Sequence, residues 1–141
     1  MFCSSRWEGE GNITLSVSDQ VISYKVVWIV SPPKEDRIFL HQIVTIQDFD
    51  QMMTNQFCIS QASKTNFDIE LSNQLVCGIK GKGVIDPQVV AWEFRETGQE
   101  FEGFEVYRLQ PDESYEMHAE YSASEGMRTL IQGYIRLSEF E

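Results

Sequence analysis

Apolar and polar residues alternate with a period of two through almost the whole chain, and no window of helical length carries the i, i+3, i+4 stripe of an amphipathic helix. Side chains that switch face at every residue are the mark of a half-buried strand. The clearest run opens the chain: Trp7, Gly9, Gly11, Ile13, Leu15 and Val17 share one parity, while Glu8, Glu10, Asn12, Thr14 and Ser16 share the other. The next strand runs from about Val21 to Val30, with Ile22, Tyr24, Val26, Trp28 and Val30 on its apolar side. The segment Ser31-Pro32-Pro33-Lys34-Glu35-Asp36 is expected as a loop, because two prolines cannot donate to a ladder.

From about Ile38 to Ile46 both sides are apolar, so part of the outer face of this strand is expected to be covered. Asp48 to Asn55 reads as a short helix closing a barrel end, with Asp48 as N-cap and Phe49, Met52 and Met53 on one side. Shorter strands follow near Phe57 to Ala62 and Asn66 to Leu71. Leu75, Cys77 and Ile79 then alternate with Gly78, Lys80 and Lys82, so Cys77 is expected to pack as a small apolar strand residue. Gly81 and Gly83 are expected to mark a bend or bulge. Four regular strands complete the chain, Val89 to Arg95, Phe101 to Leu109, Tyr115 to Ser122 and Arg128 to Leu137.

About ten short strands joined mostly by tight loops predict an all-β fold, a single antiparallel up-and-down β-barrel, lipocalin-like, with at most one short helix near 48–55. The chain of 141 residues has no linker, repeat or low-complexity segment, so residues 1–141 are expected as one domain, long enough to enclose a core or a lined cavity. The 22 acidic residues outnumber the 11 basic ones, giving a net charge of -11. Such a field repels phosphate backbones and anionic lipid surfaces, so nucleic acid is excluded as a partner. No segment approaches the roughly 18 apolar residues of a membrane span. The opening residues lack the basic start and apolar run of a signal peptide, and Cys3, Cys58 and Cys77 form an odd, widely spaced set. A cytoplasmic location is expected.

In strand pattern, and in the opening Arg6-Trp7-Glu8-Gly9-Glu10-Gly11, the chain resembles the calycin superfamily: lipocalins, fatty-acid-binding proteins and nitrobindin-like barrels. In lipocalins an opening Trp packs near an Arg from the end of the barrel, which here implies Trp7 and Arg136, although Ser5 stands where their motif has Gly. The W-x-G-x-G opening is closer to the nitrobindin-like barrels, and that likeness implies haem held by a histidine near the C-terminal strands. The histidine there, His118, shares its parity with Glu116 and Glu120, so no cofactor is expected. Three ligands on one flat strand also diverge poorly around a tetrahedral ion, and no metal is expected.

The interior of such a barrel either fills with side chains or holds one small ligand. Its inferred inward set mixes large groups, Trp7, Trp92, Phe94, Tyr115, Met117 and Tyr121, with gaps at Gly9, Gly11, Ala119 and Gly133. Clustered at one end, the large groups would leave a cavity; evenly mixed, they would fill the barrel. If Phe101, Gly103, Tyr107 and Leu109 face inward, parity takes Glu105 with them, at a cost of several kcal/mol unless it is paired or neutralised. Arg128, Arg108, Lys25 or a ligand's polar group would be its partner; the opposite parity, with Phe104 and Val106 inside, puts Glu105 in water. His41, with Phe39 and Ile43 on its side, reads as a hydrogen-bonded core histidine.

No nucleophile elbow, P-loop, dinucleotide fingerprint or H-E-x-x-H is present, so no catalytic residue is assigned, and catalysis would rest on fold analogy alone. The reading is a barrel that binds a small, largely apolar ligand through Trp7, Trp92, Glu105, Tyr107, Tyr115, Met117 and Tyr121. The alternative is a filled barrel acting as an interaction module, with an exposed patch around Phe39, Ile43 and Trp28 or a homodimer through the two-sided apolar strand Ile38 to Ile46.

Overall fold

The computed structural model describes residues 4–16, 20–47, 51–74, 76–96, 101–122 and 128–140. They form ten strands: β1 (Ser5–Leu15), β2 (Val21–Val30), β3 (Ile38–Ile46), β4 (Gln51–Ser60), β5 (Asn66–Ser72), β6 (Ile79–Ile85), β7 (Val89–Glu96), β8 (Phe101–Leu109), β9 (Tyr115–Ser122) and β10 (Arg128–Phe140). Each pairs antiparallel with its neighbours in sequence, and β1 pairs with β10 to close the barrel. Closure leaves no open sheet edge, which is how such a fold satisfies every ladder. The seam carries one irregularity, between Arg6 and Trp7, where Ser138 of β10 donates a hydroxyl hydrogen bond of 2.9 Å to the Arg6 carbonyl.

Parity sorts the strands as alternation demands. Tyr24, Val26, Trp28 and Val30 of β2 are buried inside, as are Leu40 of β3, Phe57 and Ile59 of β4, and Val90, Trp92 and Phe94 of β7. The proline-bearing loop is shaped by Glu35 and Asp36, both in the left-handed region, while Lys34 and Arg37 exchange backbone hydrogen bonds of 2.8 and 3.0 Å across them.

Four expectations need correction. No helix occurs among the described residues, and Gln51 to Asn55 belong to β4, paired with Ile46 to Gln42. The ladder available from β3 overrides the local helical spacing of Met52 and Met53; Asp48 and Phe49 lie outside the described residues. Cys77 is exposed in the β5–β6 connection rather than packed in a strand. Gly81 and Gly83 make no bulge, since β6 keeps unbroken register with β5 and β7. Trp28 is 1 % exposed and belongs to the core, so it is no part of a surface patch; Phe39, His41 and Ile43 are half-buried on the outer face of β3.

The inward glycines seat aromatic rings. A methyl at Gly11 or Gly133, which face each other across the β1–β10 seam, would meet the Tyr24 hydroxyl, at 2.8 and 2.6 Å. Gly103 lies under the Tyr121 ring and Gly83 under the Phe67 ring. These positions therefore contribute packing, and the empty space in the barrel has another origin.

Candidate functional site

Four rings from four strands meet across the barrel: Trp28 of β2, Phe57 of β4, Trp92 of β7 and Tyr107 of β8, with centroids 5.2 to 6.3 Å apart between contacting pairs. Aromatic pairs at these separations and tilts attract beyond their burial, by about 0.5–1.5 kcal/mol each. The rings form a floor. On its far side, toward the end where β1 and β9 begin, Trp7 packs edge-on against Tyr115 at 5.4 Å and donates its indole N–H to Ser5 Oγ.

On the near side lies a cavity of about 320 Å³, reaching the end of the barrel where Met53 is 42 % exposed. Trp28, Phe57 and Tyr107 line its base, and Val26, Val44, Ile131 and Met117 are among the apolar groups of its walls. Space results because the large rings concentrate at one level of the barrel, while β3, β4 and β10 present aliphatic and amide side chains at the other.

Glu105 of β8 lies in this wall, 3 % exposed. Tyr107, two residues on and hence on the same face, donates a 2.7 Å hydrogen bond to its Oε1, and Tyr121 of β9 donates to Oε2. The indole N–H of Trp92, paired with Glu105 across β7 and β8, also favours the charged carboxylate but falls outside hydrogen-bond geometry. Burial outweighs these donors and raises the Glu105 pKa above the ordinary 4.5, because desolvation disfavours the charged form. Burial and the adjacent carboxyl push Tyr107 and Tyr121 well above 10.0 and Tyr24 up to about 12, so all three hydroxyls keep their protons.

The cations considered as partners for Glu105 are elsewhere. Lys25, Arg108 and Arg128 are exposed on the outer surface, and Arg128 is 3.9 Å from Glu120. Among the described residues, the lining includes no lysine, arginine or histidine. Five strands around the closed order from β8 and β9, on the facing wall, Asn55 of β4 donates a 2.7 Å hydrogen bond to Gln42 of β3, and Asn73 donates to Asn55 at 2.9 Å. Both Gln42 and Asn55 line the cavity.

Of the seven residues chosen from the sequence, Glu105, Tyr107, Met117 and Tyr121 come together in the lining. Trp7, Trp92 and Tyr115 are buried but outside it, within or beyond the floor. Tyr24, Trp28, Phe57, Phe101 and the Gln42–Asn55 pair were not chosen, although Tyr24 and Trp28 sit on the apolar parity of β2, and Gln42 stands out as a polar residue between Leu40 and Val44.

His118 faces outward beside the Phe104 ring and lies 3.5 Å from Glu120, and His41 also faces outward. With no histidine in the lining, the residues present do not fit a histidine-held haem. No group of three or more metal-ligating side chains occurs among the described residues. Arg136 is outward too, 3.5 Å from Asp112 and over the Tyr134 ring, so Trp7 packs on Tyr115 rather than on the arginine that the lipocalin likeness implied.

No family model matches the chain, and no curated protein matches it significantly. Among solved structures it is similar to Rv2717c from M. tuberculosis, with a TM-score of 0.73 and 10 % identity over 96 % of this chain and 92 % of that one. That likeness shows a shared fold.

Proposed function

We propose that the protein binds a small, largely apolar ligand inside the barrel. The cavity of about 320 Å³ above the aromatic floor carries this reading. Ligand sites are typically concave, apolar and furnished with few polar groups, and span roughly 300–1,000 Å³. This cavity is at the small end of that range, and its few polar side chains include the Glu105 cluster and the Gln42–Asn55 pair on facing walls.

Binding is tested with short fatty acids, a retinoid and 2-phenylethanol, following tryptophan emission, to which the lining residue Trp28 contributes, and the thermal midpoint. A saturable emission change with a rise in Tm is expected for at least one compact probe. Ile131→Trp, which fills the lining from β10, should lose both responses while keeping the far-ultraviolet spectrum of the barrel. No saturable response from any probe overturns the reading.

A further inference from the structure

We propose that the cavity selects ligands bearing a basic nitrogen, a compact apolar amine whose ammonium group pairs with the carboxylate of Glu105. This rests on the interior-binding reading above and names the ligand's polar group.

Among the described residues, Glu105 is the only Asp or Glu of the lining, and none of the others there is a cation that would neutralise it. Both carboxyl oxygens accept from tyrosine, Oε1 from Tyr107 and Oε2 from Tyr121, and the Trp92 indole N–H lies near without completing a hydrogen bond, an arrangement that orients a carboxylate and supplies no cation. A neutral alcohol supplies one weak donor there. An ammonium supplies up to three donors and the missing charge.

The surroundings favour the same class. Tyr24, Trp28, Phe57 and Tyr107 bring aromatic rings to the lining, and aromatic faces attract cations more strongly where water is excluded. The net charge of -11 concentrates cations near the protein and repels anions before they reach the cavity. A carboxylate ligand would meet a like charge in Glu105 or have to bring a proton into the cavity. Either costs affinity.

Three probes of nearly equal shape isolate the polar group: 2-phenylethylamine, 2-phenylethanol and 3-phenylpropionate, titrated calorimetrically into the intact protein at neutral pH. The amine should bind at least about tenfold more tightly than the alcohol, as a charge-assisted hydrogen bond to a buried carboxylate supplies, and the acid should bind most weakly. Glu105→Gln should bring the amine to within about threefold of the alcohol. An amine no tighter than the alcohol in the parent protein overturns the inference without any variant, as does a preference that survives Glu105→Gln in a folded barrel. Binding of the alcohol without an amine preference, or silence from all three probes, sinks the amine assignment; silence that extends to the fatty acids and the retinoid sinks the interior-binding reading as well.

Discussion

Tyr107 donates a 2.7 Å hydrogen bond to Oε1 of Glu105, two residues before it on the inward face of β8. With Tyr121 on the other oxygen, the carboxyl is held by neighbours on one wall of the cavity, in a barrel whose cations stand on the outer surface wherever a partner was sought. A buried acid held by tyrosines differs from a buried ion pair in one respect. It can shed its charge by taking a proton, and its stability contribution then depends on pH.

Replacing Glu105 with glutamine should stabilise the protein increasingly as pH rises. The folded state raises the Glu105 pKa above 4.5, so it holds the proton more tightly than the unfolded chain does. The contribution of this group is complete below about pH 4.5 and is lost as pH climbs through the raised value. Glutamine does not titrate. Urea unfolding of parent and Glu105→Gln between pH 4 and pH 8 should therefore show the difference moving in favour of the variant as pH rises. Tyr24, Tyr107 and Tyr121, which surround the carboxyl, keep their protons throughout this range. A difference that stays flat with pH contradicts the placement of an ionisable Glu105 inside the barrel.

The two described thiols should react at different rates. Cys77 is exposed in the β5–β6 connection, whereas Cys58 is half-buried on β4 and desolvation pushes its pKa upward, with Glu70 adding to the effect and Arg37 opposing it. The thiolate is the reactive form. Limited alkylation followed by peptide mapping should show Cys77 modified severalfold faster than Cys58, and equal or inverted rates contradict the exposure assigned to the connection.

Direction was legible in the sequence, and depth was not. Because a strand's period is two, alternation alone places Trp7, Tyr24, Trp28, Trp92, Tyr115 and Tyr121 inside, and all six point there. The level each ring occupies along the barrel axis depends on how far each strand is staggered against the next, which alternation does not encode. Trp7 and Tyr115 thus fall beyond the floor while Tyr107 and Tyr121 reach the cavity. The partners of Glu105 were sought among cations, yet the donors were already on its own face and the adjacent strand, as phenols. Met52 and Met53 misled for a related reason: helical spacing is a local signal, and the unpaired edge of β3 is a stronger, non-local one.

The seating of Phe67 on Gly83 gives the sharpest test of packing. Gly83 is in register with Phe67 on β5 and Trp92 on β7, and a methyl built on it would stand 2.1 Å from Cζ of the Phe67 ring. The contact is with a ring that is itself 3 % exposed and edge-on to Trp92 at 6.5 Å, so relief requires movement within the core rather than a swing into solvent. Gly83→Ala should accordingly cost about 1–3 kcal/mol in urea unfolding, the usual penalty of overpacking. Phe67→Leu alone also costs stability, by leaving part of the ring's space empty. Combined, the two should cost measurably less than their sum, because the smaller side chain clears the methyl and the methyl occupies part of the vacated space. Strict additivity would mean that ring and glycine do not share one space.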